Sequence, residues 1–93
     1  GKSKMKNEQL RGKIVLLGIK AMEQLEHFFQ RAEYVSDELT KAERGYWGCC
    51  ISDETLAKEK RAAVRYWTYD SNKFTFRIGG CRFIVHQQTS NSA

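Results

Sequence analysis

Residues 73–87 read KFTFRIGGCRFIVHQ, two runs of alternating apolar and polar residues hinged on Gly79 and Gly80. Only glycine reaches positive φ at both central positions of a tight turn without steric cost, so the pair predicts a two-residue β-hairpin. That turn fixes a register in which Ile78 faces Cys81, Arg77 faces Arg82, Phe76 faces Phe83, Thr75 faces Ile84 and Phe74 faces Val85. Phe74, Phe76, Ile78, Cys81, Phe83 and Val85 then share an apolar face, which must lie on other structure to leave water. Lys73, Thr75, Arg77, Arg82, Ile84 and His86 share the opposite one. Two arginines directly across a ladder repel; a solvated face can tolerate the pair, a longer loop would shift the register, and an anion lying between them would remove the conflict.

Upstream of the hairpin, Asp70-Ser71-Asn72 reads as a turn and Val64-Arg65-Tyr66-Trp67-Thr68-Tyr69 as a β-branched, aromatic strand. This gives three antiparallel strands at about 64–69, 73–78 and 81–87. Ser52-Asp53-Glu54-Thr55 has the composition of a helix start, and the helix is expected to run to about Ala63 with Lys58, Lys60, Arg61 and Arg65 crowding its polar side. Ser36-Asp37-Glu38 predicts another, short helix that Gly45 stops, followed by GYWGCCI as a tight connector or short strand.

At the front, Leu10, Ile14, Leu17, Ala21, Leu25, Phe28 and Ala32 follow steps of three and four, the period of one helix face. A single helix over 7–32 would run about 39 Å, long for a domain of this size. Its near-heptad stripe of Leu10, Ile14, Leu17, Ala21, Leu25 and Phe28 is a candidate homodimer seam. The fold class expected is therefore α+β and winged-helix-like: a long N-terminal helix, two shorter helices, then a β-hairpin or three-stranded meander. Residues 7–87 form the domain, with a basic tail at 1–6 and a polar tail at 88–93.

The net charge of +5 is segregated along the 93 residues. Residues 1–20 carry six basic side chains against Glu8, residues 21–57 carry three against eight acidic ones, and residues 58–93 carry seven against Glu59 and Asp70. A basic, acidic, basic order suits a polyanion held at the basic segments with the acidic middle turned away, or a homodimer pairing unlike segments.

Three cysteines, two of them adjacent, argue against a disulfide scaffold and for a reducing, intracellular compartment. Cys49, Cys50, Cys81 and His86 lack the spacing that brings two thiolates to one zinc ion, so no metal and no cofactor is expected. No apolar run approaches the roughly 18 residues of a membrane span. Neither His27 nor His86 has an evident nucleophile or orienting acid, no phosphate loop occurs, and the acidic pairs are explained by helix starts, so no enzymatic role is expected.

The stretch ISDETLAKEKRAAVRYW, residues 51–67, resembles the helix-turn-helix segment of small phage and plasmid regulators, in which a Ser-led helix precedes a basic one. It departs from them at 57–62, which runs on without a turn. That resemblance and the element order imply a DNA-binding, regulatory domain. Lys58, Lys60, Arg61 and Arg65 would lie on a helix in the major groove, and Lys73, Arg77 and Arg82 on a hairpin wing against phosphates. Duplex DNA is favoured over single strands or RNA. The rival from a different class is a protein-interaction or inhibitory module that docks on a larger partner or dimerises through its N-terminal helix.

Overall fold

The computed structural model describes residues 7–43, 45–65 and 72–88. Over these residues the chain folds as an α+β domain of two helices, α1 (Glu8–Gln24) and α2 (Phe28–Ala42), and four strands, β1 (Tyr46–Asp53), β2 (Lys60–Val64), β3 (Asn72–Ile78) and β4 (Cys81–Gln88). The strands form one antiparallel sheet in the order β2, β1, β4, β3.

The hairpin expected at 73–87 forms in the expected register, from Phe74 against Val85 to Ile78 against Cys81. Gly79 and Gly80 take φ of 54° and 86°, the left-handed values a tight turn between twisted strands requires. Phe74, Phe76 and Phe83 stack in series on the helix side, with ring centroids 5.1 and 5.0 Å apart.

The single helix expected over 7–32 is instead two. Asn7 caps α1 through a hydrogen bond from Leu10 N to its side chain, 3.1 Å, and α1 ends at Leu25, whose backbone is extended. His27, also extended, starts α2, and Arg31 Nε donates to the Leu25 carbonyl at 2.7 Å across the break. The three-four stripe runs through the break because both helices face the same sheet. Ile14, Gly18 and Ala21 are buried from α1, and Ala32, Val35, Ser36 and Leu39 from α2. A straight rod of 26 residues would outrun so short a sheet, whereas a reversal near its middle buries both halves.

No helix starts at Ser36, which lies within α2. Its hydroxyl is buried and donates to the Trp47 carbonyl. Thr40 Oγ1, one turn on, donates to the Ser36 carbonyl at 2.8 Å and accepts from Trp47 N at 3.3 Å. These bonds tie α2 to the start of β1.

The basic helix expected over 52–63 is also absent. Ser52 and Asp53 close β1, and Asp53 Oδ1 accepts from Thr55 N at 2.9 Å and Thr55 Oγ1 at 2.6 Å. An Asp that can cap a helix can equally fold the chain back on itself, and here the turn wins because Lys60–Val64 has β1 to pair with. GYWGCCI is the surprise: β1 is a central strand, buried on both faces from Trp47 to Ser52.

Of the strand expected at 64–69, Val64 belongs to β2, while Tyr66, Trp67 and Tyr69 lie outside the described residues. Of the tails expected at 1–6 and 88–93, Gln88 belongs instead to β4, and the other residues lie outside the described ones. Among the described residues no helix is long and apolar enough to cross a membrane, and Cys49, Cys50 and Cys81 are free thiols.

Candidate nucleic-acid interface

Alternation along the strands gives the sheet two unlike faces. Trp47, Cys49, Ile51, Cys81, Phe83 and Val85 meet Ile14, Ala21, Ala32, Val35 and Leu39 in the core beneath the helices. Among the described residues the other face carries no helix. Across its end nearest the Gly79-Gly80 turn, pairing aligns Arg61 with Ser52, Ser52 with Arg82 and Arg82 with Arg77. Three arginines therefore stand on one rung, spread over three strand spacings or about 14 Å. Lys73, opposite His86, lies on the same face farther along the hairpin.

This rung is held by two carboxylates from the loop between β1 and β2. Glu54 Oε1 lies 3.1 Å from Arg77 Nη2, and its Oε2 lies 3.7 Å from Arg82 Nη2. Glu59 Oε1 lies 3.2 Å from Arg61 Nη2. The anion that the facing arginines called for is thus present within the chain itself. A Cβ on Gly80 would lie 3.1 Å from Thr55 Cγ2, so the loop bearing Glu54 rests against the hairpin turn.

Cys50 sits beside Ser52 on this face. Burial pushes its thiol up, opposed by the charges of Arg61 and Arg82 and reinforced by Glu59. Cys49 and Cys81 point to the helix side and are raised chiefly by burial, so Cys49, Cys50, Cys81 and His86 do not converge. Among the described residues no group of three His, Cys, Asp or Glu side chains could hold a metal ion.

The face closes at its other end. Arg65 follows β2 with a φ of 50°, and its carbonyl lies 3.1 Å from His86 Nε2. A Cβ on Gly48 would lie 1.9 Å from that carbonyl oxygen, so the missing side chain at Gly48 is what lets the Arg65 backbone lie over the sheet. The Arg65 guanidinium turns the other way, donating to Ser36 Oγ at 2.7 Å and to Asp37 Oδ1 at 2.6 Å. Burial lowers the pKa of His86, partly offset by the Arg65 carbonyl, with Lys73 lowering it further.

Of the seven basic residues singled out from sequence, the fold gathers Arg61, Arg77 and Arg82, with Lys73 along the same face. Lys58 stands in the exposed loop, Lys60 pairs with Asp53 at the edge of the helix side, and Arg65 is committed to α2. The acidic residues Glu33, Asp37 and Glu38 are on α2, across the sheet from the arginine rung.

The stripe read as a dimer seam faces the chain's own sheet. Ile14 and Ala21 are fully buried, and Leu10, Leu17 and Phe28 pack against the same core. Leu25 caps α1. The exposed apolar side chains of the helices are instead Leu16, Ile19 and Phe29.

Sequence reading missed Glu54, because an acid after Ser52-Asp53 looks like a favourable charge at a helix start. Only the pairing of β1 with β4 brings it to Arg82. No protein-family model matches the chain, and no curated protein matches it either.

Proposed function

We propose that the chain is a small nucleic-acid-binding domain that meets phosphates with the helix-free face of its sheet. The observation that carries this reading is the rung of Arg61, Arg82 and Arg77 on a face that bears no helix among the described residues. Lys73 extends the contact along the hairpin, and Lys58 in the exposed loop adds charge beside it. The acidic surface of α2 on the far side of the sheet repels a polyanion and orients the approach.

Duplex DNA suits the surface better than single strands. Phe74, Phe76 and Phe83, which could have stacked on unpaired bases, are turned into the core. The hairpin carries Arg77 and Arg82 one residue from its turn, at one end of the four-stranded sheet, where they can reach the regularly spaced phosphates of a duplex backbone. Three or four phosphate contacts give a log-log salt slope of roughly −3 for duplex DNA.

The test is fluorescence anisotropy with labelled duplex DNA, single-stranded DNA and RNA at two salt concentrations, comparing the parent with Arg77→Ala/Arg82→Ala. Losing two contacts should flatten the duplex slope by about 2. Absence of binding at low salt, or an unchanged double variant, refutes the reading.

A second reading, a protein-interaction module, is favoured by one observation: Leu16 and Ile19 are 59% and 37% exposed on the outer side of α1, and Phe29 is 55% exposed at the start of α2. Leu16 and Ile19, three residues apart on α1, adjoin on one helix face, and neighbouring exposed apolar groups suit a protein contact. Sedimentation of the parent beside Leu16→Glu/Ile19→Glu tests whether a second copy is that partner. A parent that stays monomeric at high concentration removes the homodimer.

A further inference from the structure

We infer that Arg77 and Arg82 form an oxyanion site of the phosphate class, and that Glu54 is the chain's own stand-in for that anion, displaced when the ligand binds. The inference rests on reading the helix-free face as a phosphate surface, and it adds which pair holds the anion and which group competes for it.

The hairpin register sets the two guanidiniums directly opposite each other, an arrangement that needs negative charge between them. Glu54 supplies it unevenly. Its Oε1 is within hydrogen-bond distance of Arg77 Nη2 at 3.1 Å, but its Oε2 stands 3.7 Å from Arg82 Nη2, an ion pair without a hydrogen bond. Arg82 Nε is buried and has no acceptor among the described residues. One carboxylate thus satisfies Arg77 and leaves Arg82 short.

A phosphate brings at least one more acceptor oxygen and matches the planar fork of a guanidinium. It could serve both arginines, with a small turn of Arg82 bringing Nε into the contact. Glu54 is well placed to yield, because its side chain is 40% exposed and both of its ion pairs lie at the surface. Asp53, not Glu54, makes the hydrogen bonds that shape the loop. Displacing Glu54 therefore requires no break in the core or in the turn.

The experiment titrates inorganic phosphate into the parent, Glu54→Gln and Arg77→Ala/Arg82→Ala while following the arginine side-chain signals by NMR. Labelled duplex DNA is run beside it by anisotropy, and thermal melts check that each variant is folded. Removing the competing charge should tighten phosphate binding at Arg77 and Arg82 about three- to tenfold, with the double variant losing it. Identical titrations of parent and Glu54→Gln, or shifts that bypass the two guanidiniums, overturn the inference. Phosphate binding tightened in Glu54→Gln with no DNA bound by any variant keeps the oxyanion site and removes the nucleic-acid reading. DNA bound equally by parent and Glu54→Gln, with phosphate binding unchanged, keeps that reading and removes the role of Glu54.

Discussion

Replacing Gly48 by alanine tests how the end of β2 lies over the sheet. The new methyl would stand 1.9 Å from the Arg65 carbonyl oxygen, 2.7 Å from its carbonyl carbon and 2.4 Å from His86 Nε2. Two of these atoms are backbone, so a rotamer change cannot relieve the clash, and the Arg65 peptide must retreat by more than 1 Å to reach ordinary contact, which begins at about 3.4 Å. Retreat pulls on the 3.1 Å contact with His86 and on the guanidinium bonds to Ser36 and Asp37. Overpacking costs about 1–3 kcal/mol and a weakened hydrogen bond about 1 kcal/mol, so the variant should lose about 2–4 kcal/mol. For a domain of this length that is a fall in Tm on the order of 10–25 °C. Urea denaturation followed by circular dichroism measures it. Gly12→Ala is the matched control: nothing lies within 4 Å of a Cβ there, and an alanine inside α1 should add about 0.5–1 kcal/mol. A Gly48→Ala protein within about 0.5 kcal/mol of the parent would refute the account of Arg65 lying over Gly48.

Three more outcomes follow from buried polar groups. His86 has its pKa lowered from 6.5, so the unfolded chain takes up a proton before the folded one does. Stability should hold above about pH 7, then fall as pH drops through 6.5 toward the folded value, and His86→Gln should flatten that fall in urea titrations at pH 7.5 and 5.5. Burial raises the thiol pKa of Cys49, Cys50 and Cys81, so a disulfide reagent at neutral pH should label the folded protein slowly and all three thiols quickly in urea. Fast labelling of Cys49 in the folded state would contradict its burial. Ser36→Ala removes the hydroxyl that donates to the Trp47 carbonyl and accepts from Arg65, and should cost about 1–3 kcal/mol by chemical denaturation. An unchanged midpoint would show that α2 and β1 are held by packing alone.

The parts of the fold that could be read from sequence are those whose signals are local. The Gly79-Gly80 turn and the period-2 runs beside it specify the hairpin, its register and its two faces, because turn geometry and alternation act within a few residues. The three-four stripe in the first 32 residues likewise marks a helical face. It could not show where the helix turns back, since the period persists when both halves pack on one sheet. Ser36 and Ser52-Asp53 carry the chemistry of a helix start, yet Ser36 became a buried link to β1 and Asp53 a turn. Both residue types serve caps, turns and interior bonds alike, and the available partner decides among them.

The interface divides in the same way. Sequence by itself determined that Arg77 and Arg82 face each other and that their conflict calls for a negative charge, because a two-residue turn leaves one register. Tertiary structure alone decided that Arg61 joins them, that Arg65 turns away to α2 and that Glu54 lies between the two arginines. Those outcomes depend on β1 pairing with β2 on one side and β4 on the other, about 30 residues away along the chain. Contacts between distant segments are set by which strands fill the sheet, and the residues they bring together need carry no local mark of it.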